Sequence, residues 1–305
     1  MNFKLPTSDF QTYLQSNGYS ISTIKGHQRN IEMLEKWVVN EGVELLEITY
    51  QELLAYMKYL TQRGTGKSTI RGYINSIRHY YNHQLQSEVI TRNPAANLQI
   101  KGVKKKMVYD VLSPIELEQV YHKFTTTPAK SQHELKDFEY QRDLVMLGLL
   151  IYQGVTAQEL IKLQPNDIKL RQGIIEIPGG RKSNHRELKL EAVQILEIQE
   201  YLSKTREEIL QATRKESEQL FISIGWSESL HPTIAKFTKT IKKQNLRIQD
   251  LQQIRASVIV KWLNNYNLRQ AQYMAGHRFV SSTEKYKQSD LEDLKEDINK
   301  FHPTN

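Results

Sequence analysis

Three residues in the last quarter of the sequence have types and spacing that suit phosphate chemistry. Arg255 lies in an apolar helical segment, His277 follows Gly276, and Tyr286 comes nine positions after His277, beyond a Ser-Ser-Thr turn. A phenol can attack a phosphodiester when cations stabilise the pentacoordinate phosphorus and an acid protonates the departing oxygen. Arginine suits the phosphate because its planar fork donates two hydrogen bonds and keeps its charge. Together the three residues predict a site that cleaves a phosphodiester.

Each of these residues also has a purely structural interpretation. Arg255 could pair with a carboxylate such as Asp250, and His277 could cap the helix before it. Tyr286 could anchor a loop with its ring. Whether these three residues are structural or catalytic therefore has to be judged from the rest of the sequence.

Composition narrows the classes of protein to which the chain can belong. Its 305 residues predict two domains, each able to bury a core. The absence of cysteine excludes disulfides, thiolate nucleophiles and cysteine-ligated metals. No stretch reaches the roughly 18 to 20 apolar residues of a membrane span, and the start "MNFKLPTSDF" lacks the apolar core of a signal peptide, so we expect a cytoplasmic protein. The net charge of +8 favours a polyanionic partner.

Helical periodicity dominates the first hundred residues. Residues 22–40 place apolar side chains at helical spacing after a Ser/Thr start, and Thr49 with Glu52 three positions later predicts a capping box for the next helix. Residues 66–86 form a third amphipathic pattern, with Ile70, Ile74, Ile77 and Tyr81 on one face. The segment therefore predicts a small helical bundle.

Basic residues are concentrated between positions 63 and 106, where Glu88 is the only acid. This run is interpreted either as a solvated surface or as a surface that contacts phosphates, and its mixture with Tyr and His favours the second. The candidate DNA contacts are Lys67, Arg71, Arg78, Lys104, Lys105 and Lys106, joined by Arg181 further along the chain.

The second part of the chain predicts a mostly helical domain with one small sheet. Helical patterns cover residues 113–124, 140–154, 156–163, 193–209, 248–266 and 268–276. Residues 173–190 alternate instead, which predicts a β-hairpin with a Gly-Gly turn and a basic tip. We expect a domain at 1–100, a basic linker at 101–112, a second domain at 113–288 and a tail helix at 289–305.

Several of these segments, taken in order, resemble one known family. The stretch "LQQIRASVIVKWLNNYNLRQAQYMAGHRFVSSTEKY" resembles the C-terminal motif of the tyrosine recombinases, or phage-type integrases, and "LLIYQGVTAQELIKLQPNDI" is similar to another of their motifs. The N-terminal segments "STIKGHQRNIEMLEKW" and "STIRGYINSIRHYYNHQLQSEVITRNPAANLQIKG" resemble the family's core-binding domain. The resemblance implies a mainly α (α+β) fold, in which a helical SAM-like core-binding bundle precedes a mostly helical catalytic domain with a small β-sheet.

The resemblance implies a role for each matching residue. Tyr286 matches the nucleophile that forms a 3′-phosphotyrosyl bond and releases a 5′-hydroxyl. Arg255 matches the second catalytic arginine, and His277 matches a histidine that donates a hydrogen bond to the scissile phosphate. Lys182 on the hairpin is expected to be the general acid, with Arg181 as the competing assignment.

Two positions depart from the family's motif. Thr156 stands where the first catalytic arginine is expected, and Gln252 stands where the family usually has histidine. A frame that begins at Gln249 instead would remove the arginine match and spoil the spacing to His277, so it is rejected. Thr156 carries no charge, and the cations that could compensate for it are Arg181, Arg186 and Arg278.

The resemblance implies a site-specific recombinase or integrase that holds duplex DNA between its two domains. Such a protein exchanges strands through a Holliday junction as a tetramer on two sites, and it needs neither a nucleotide nor a metal. Residues 289–302 are expected to form an amphipathic helix that docks on a neighbouring protomer or packs on its own domain. The alternatives are a DNA-binding accessory protein without cleavage, favoured by Thr156, and a type IB topoisomerase-like enzyme.

Overall fold

The computed structural model describes residues 7–102, 110–126, 134–181 and 183–287. The chain divides into two units, Met1–Lys106 and Met107–Asn305. Three predicted features lie outside the described residues: Lys104, Lys105 and Lys106 of the basic run, Lys182 of the hairpin, and the tail helix from 289 onward. Within the described part of the chain, no helix is long and apolar enough to cross a membrane.

The first unit is a bundle of four helices. They are α1 (Thr7–Ser16), α2 (Ile21–Glu41), α3 (Tyr50–Gln62) and α4 (Lys67–Gln86). The predicted capping box begins α3, because Thr49 and Glu52 exchange hydrogen bonds between side chain and backbone. The predicted apolar face of α4 is buried in the core of this unit, which confirms the helical bundle. That face comprises Ile70, Ile74, Ile77 and Tyr81.

The second unit is mostly helical around one small sheet. Before the sheet come α5 (Pro114–Thr126), α6 (Glu134–Gln153) and α7 (Ala157–Lys162). After it come α8 (Ala192–Glu200), α9 (Arg206–Thr213), α10 (His231–Gln244), α11 (Leu251–Asn265) and α12 (Leu268–Ala275). Helix α11 and the part of α6 from Arg142 to Gln153 are buried on nearly every side, as their apolar sequences predict. The mainly helical fold with a small sheet is thus confirmed.

The sheet has three antiparallel strands in the order β1-β2-β3. They are β1 (Ile168–Lys169), β2 (Ile174–Ile177) and β3 (Arg186–Lys189). The predicted hairpin is β2 and β3, and β1 is an additional short edge strand. Pairing of Ile177 with Arg186 sets the register, so that Arg186 and Leu188 point to the buried face of β3.

Within the described part of the chain, residues 280–287 form the final helix, α13, which carries Tyr286. The prediction of a Ser-Ser-Thr turn before a loop tyrosine is therefore wrong. Thr283 is fully buried, and its side chain bonds to His277, which fixes the segment as a helix against the domain. This tertiary contact outweighs the tendency of serine and threonine to favour turns.

Candidate phosphodiester cleavage site

Arg255 is held inside the second unit by two backbone carbonyl groups. Its guanidinium donates hydrogen bonds to the carbonyl oxygens of Gly154 and, at 2.6 Å, Ala275. Only 6% of Arg255 is exposed, and burial lowers its pKa, against the opposing effect of Glu159. Asp250 is not its partner, because that carboxylate caps α11 at the amide of Gln253. Asp250 was therefore the wrong partner, and the carboxylate that Arg255 approaches is Glu159, at 3.8 Å.

Thr156 is the N-cap of α7, and its hydrogen-bonding groups form a capping box. Its amide and hydroxyl both donate to Oε2 of Glu159, at 2.7 and 3.0 Å, and its hydroxyl accepts from the amide of Glu159. The motif is the one that Thr and Glu three positions apart predict. The threonine side chain therefore orients a carboxylate.

The same carboxylate binds a second arginine. Arg186 of β3 donates from Nη1 to Oε1 of Glu159 at 2.7 Å and from Nη2 to Oε2 at 3.1 Å. Nη1 of Arg255 lies 3.8 Å from Oε2 of Glu159. Hydrogen bonds from Arg186 and the nearby positive charges keep the pKa of Glu159 below its usual value, although burial acts in the opposite direction.

His277 follows Gly276, which ends α12 in the left-handed conformation with φ of 66°. The amide of His277 donates to the carbonyl of Gln272, so its backbone takes part in the cap of α12, whereas its ring turns towards α13. Nδ1 shares a hydrogen bond of 2.9 Å with Oγ1 of Thr283. Burial, reinforced by Arg255 and Arg186, lowers the pKa of His277 to about 4, so the imidazole is neutral at pH 7.

Tyr286 is half-buried on α13 with its ring against that of His277. The two rings stack with 5.9 Å between their centroids and 10° between their planes. Burial raises the pKa of Tyr286, and Arg255 opposes this rise. The phenol is therefore protonated at neutral pH, and a nearby cation favours the phenolate that an attack on phosphorus requires.

The tip of the hairpin is fastened beside His277. Ser183 pairs with His277 in an isolated antiparallel β-bridge, and the amide of Asn184 donates to the carbonyl of Gly276 at 2.9 Å. Arg181 is exposed at this tip, and its carbonyl accepts a hydrogen bond from Arg278 at 3.0 Å. The structure therefore brings both neighbours of Lys182 close to the histidine, and Lys182 itself stays a prediction.

Gln252 lies one helical turn before Arg255 on an exposed position of α11. The buried glutamine of this helix is Gln253, which donates to the carbonyl groups of Asp110 and Arg247. Gln253 therefore secures the start of α11, and Gln252 is the one that solvent or a ligand can reach.

Two further residues of the site, Glu159 and Thr283, were not predicted from the sequence. The capping-box spacing of Thr156 and Glu159 was visible in the sequence, but the two arginines around Glu159 come from distant segments. Thr283 lies three residues before Tyr286, the spacing of neighbours on a helix, which would have been the available signal.

The candidate DNA contacts of the first unit follow one face of α4. Lys67 and Arg71 are exposed there, four residues apart, together with Asn75. Arg78, half-buried, donates to the carbonyl groups of Ala95 and Leu98 as well as to the side chain of Asn75. Arg78 therefore fastens the segment after α4, whereas Lys67 and Arg71 are available to a ligand.

The second unit thus gathers a phenol, a neutral imidazole and two arginines that share one carboxylate. Such a group can bind an anionic phosphate, stabilise added charge on it and present an oxygen nucleophile.

Two family models match this chain. Residues 111–292 match the phage integrase family, and residues 7–91 match the N-terminal SAM-like domain of phage integrases. The tyrosine recombinase XerD of Shewanella oneidensis is 22% identical over 298 residues, which cover 94% of this chain and 93% of the relative. XerD of Oceanobacillus iheyensis is 23% identical over 304 residues, 97% of each chain.

Two solved structures share the fold. XerH site-specific recombinase bound to a palindromic difH substrate, a post-cleavage complex, aligns with a TM-score of 0.70 and 16% identity over 96% of this chain and 84% of that one. The Tn1549 transposon integrase in complex with a circular intermediate DNA aligns with a TM-score of 0.65 and 14% identity over 95% and 98% of the two chains.

Proposed function

Because the chain belongs to the phage integrase family of tyrosine recombinases, we propose that it is a site-specific DNA recombinase that cuts and rejoins DNA strands through Tyr286. The observation that carries the proposal is the stacking of Tyr286 on His277, in a site where Arg255 is buried and fixed by two carbonyl groups. A tyrosine that only packed would need neither the stacked, neutral imidazole nor the charge of Arg255, which acts on its hydroxyl.

The proposed step exchanges one phosphodiester for another. The Oη atom of Tyr286 bonds to phosphorus and passes its proton to water, while the bond from phosphorus to the 5′ oxygen breaks. The product is a 3′-phosphotyrosine, and the 5′ oxygen leaves as a hydroxyl after taking a proton from Lys182 or, as the competing assignment, Arg181. Because the new ester retains the bond energy, a 5′-hydroxyl can reverse the step without a nucleotide.

Each remaining residue acts on the phosphate or on the nucleophile. Arg255 donates to the non-bridging oxygens, where its charge stabilises the transition state more than the ground state. His277 is neutral, so the ring nitrogen that faces away from Thr283 is the one available to the phosphate. Gln252 is exposed one turn from Arg255 and can add a hydrogen bond to the DNA backbone.

We propose that the first unit holds the DNA through the exposed basic face of α4, led by Lys67 and Arg71. Further contacts would come from Lys104, Lys105 and Lys106. Strand exchange requires two cuts on each of two DNA sites, hence four protomers and a Holliday junction. The tail from residue 289 onward would dock on a neighbouring protomer, and the protein would act in the cytoplasm on the nucleoid.

A second candidate function is DNA binding without cleavage, as an accessory or regulatory protein. One observation favours it: Thr156 supplies no charge, and its hydrogen-bonding groups are already used by Glu159. The two functions differ in one product, the covalent protein–DNA complex.

A trapping experiment separates them. The full chain would be incubated with a nicked duplex built from the DNA site that the purified protein selects from a pool of random sequences. We expect a covalent complex that resists denaturant and disappears in Tyr286→Phe, whereas Tyr266→Phe, at an exposed tyrosine after α11, behaves as wild type. A covalent complex that persists in Tyr286→Phe would contradict the assignment, and tight binding with no trapped product would favour the accessory function.

A further inference from the structure

Position 156 leaves the proposed site short of one cation. Thr156 is neutral, and both its amide and its hydroxyl donate to Oε2 of Glu159. A transition state with extra negative charge on phosphorus is stabilised by preorganised positive groups, and loss of one such donor commonly slows a reaction on the order of 100-fold to 1000-fold. Three arginines could compensate, and the structure distinguishes among them.

The guanidinium of Arg186 brings a positive charge next to the neutral side chain of Thr156. Its Nη2 atom binds the same oxygen, Oε2 of Glu159, that the hydroxyl of Thr156 binds, at 3.1 and 3.0 Å respectively. A guanidinium that starts on β3 therefore ends beside the first residue of α7. Arg181 and Arg278, by contrast, are exposed, and Arg278 donates to the backbone of Arg181 at the hairpin tip.

Arg186 also lies directly against the residue that precedes His277. A Cβ atom at Gly276 would stand 2.5 Å from Nη1 of Arg186, so only glycine leaves room for the guanidinium. Arg186 is 0% exposed, and its Nε atom is buried without a hydrogen-bond partner among the described residues. Burial of an arginine is costly unless the charge is paired, and Glu159 supplies that pair. In this buried environment the charge of Arg186 acts strongly on its near neighbours.

The balance of charges shows how Arg186 can act without touching DNA. Arg186 binds Glu159 through two hydrogen bonds, and Arg255 lies 3.8 Å from the same carboxylate. Two guanidiniums and one carboxylate leave one net positive charge. Without Arg186, Glu159 would have Arg255 as its single cationic neighbour in this group, and their pairing would neutralise the arginine that the phosphate needs.

We propose that Arg186 is a positioning residue that replaces the cation missing at position 156: by binding Glu159 it leaves the charge of Arg255 available to the scissile phosphate. The inference rests on the proposed function and names one further residue for that reaction. It concerns charge, so it can be tested by changing the charge of the protein and that of the substrate separately.

The test compares two nicked duplexes that differ at the scissile position. One carries the natural phosphate, and the other a methylphosphonate, in which a methyl group replaces one non-bridging oxygen and removes the negative charge. We expect Arg186→Gln to form the covalent complex on the natural duplex about 100-fold more slowly than wild type. On the neutral duplex the loss relative to wild type should be much smaller, because the transition state carries one negative charge fewer.

A double variant guards against a folding defect, since Arg186→Gln leaves Glu159 in a poorly solvated place. Arg186→Gln with Glu159→Gln removes both charges of the pair, restores the net positive charge of the group and keeps similar volumes. We expect it to recover most of the lost rate on the natural duplex. Arg142→Gln serves as the matched control, because Arg142 is equally buried and paired with Asp143 at 2.7 Å elsewhere in the unit. It should show the same ratio of the two rates as wild type.

Three results would overturn the inference alone: cleavage of the natural duplex by Arg186→Gln at the wild-type rate, equal losses on both duplexes, or a double variant as slow as the single one. In each of these, the wild-type chain still forms its Tyr286-dependent complex. A wild-type chain that traps no DNA overturns the proposed function, and the inference with it.

Discussion

The ring of Tyr286 stacks on the ring of His277, with 5.9 Å between centroids and 10° between planes. Thr283, one turn earlier on α13, holds Nδ1 of the same imidazole at 2.9 Å. One short helix therefore contacts the histidine through both residues, and a hydrogen bond and ring stacking position the tyrosine and the histidine relative to each other. Cleavage should depend on residues of α13 that never touch DNA.

The hydroxyl of Thr283 gives the most direct test of this arrangement. Thr283→Val keeps the shape of a fully buried side chain and removes its hydrogen bond to His277. We expect a free energy of unfolding lower by about 1 kcal/mol, and slower formation of the covalent complex with little change in DNA affinity. Thr283→Ser, which retains the hydroxyl, should recover the cleavage rate. If Val and Ser slow cleavage equally, the hydrogen bond does not orient the histidine.

The low pKa of His277 predicts how stability depends on pH. Folding lowers this pKa to about 4, whereas a histidine in the unfolded chain titrates near 6.5. As the pH falls below about 6.5, the unfolded chain binds a proton that the folded chain rejects, so the folded state loses stability down to about pH 4. The thermal midpoint of wild type should therefore fall more steeply between pH 7 and pH 5 than that of His277→Gln. Parallel curves would show that His277 titrates normally in the fold.

The carboxylate of Glu159 is expected to stabilise the second unit. Glu159→Gln leaves Arg186 and Arg255 buried beside a neutral amide, and breaking a buried ion pair in this way costs roughly 3 kcal/mol. Glu176→Gln is the matched control, because its pair with Lys169 is 3.9 Å long and partly exposed, and such pairs contribute about 1 kcal/mol or less. Urea unfolding measures both. Equal losses in the two variants would mean that the Glu159 cluster adds nothing beyond a surface pair.

The basic face of α4 predicts a measurable salt dependence of DNA binding. Arg71→Gln should weaken binding to all sequences by a similar factor and reduce the slope of log affinity against log salt by about 1, as loss of one phosphate contact does. Lys36→Gln removes the same charge from α2, beside Glu32 and Glu35, and should leave the slope unchanged. An unchanged slope in Arg71→Gln would place the DNA contact elsewhere.

Sequence patterns predict the helices of this chain better than its charge network. Periodicity and the Thr49–Glu52 capping box locate α2 to α4 closely, because those signals are local. Helix α13 is different: a segment with two serines and a threonine becomes helical because Thr283 is buried against His277. Neither α1 nor α10 follows from the patterns described above, and β1 is only two residues long.

The individual residues of the candidate site were predictable from the sequence, but the hydrogen bonds and ion pairs that connect them were not. Arg255, His277 and Tyr286 stand out by type and spacing, but the carboxylate that joins the arginines depends on contacts across 27 positions of the chain between Arg186 and Glu159. The alternation of β3 already places Arg186 on the same face as Leu188. The alternation of side chains along β3 does not predict where the hairpin lies relative to α7 and Gly276. The packing of the whole unit determines that position.

The bridge between Ser183 and His277 has a mechanical consequence. Backbone pairing of Ser183 with His277 and the hydrogen bond from Asn184 to Gly276 couple the hairpin to the histidine. A displacement of one is transmitted to the other through backbone atoms. DNA that contacted the tip would thus also act on the position of the imidazole.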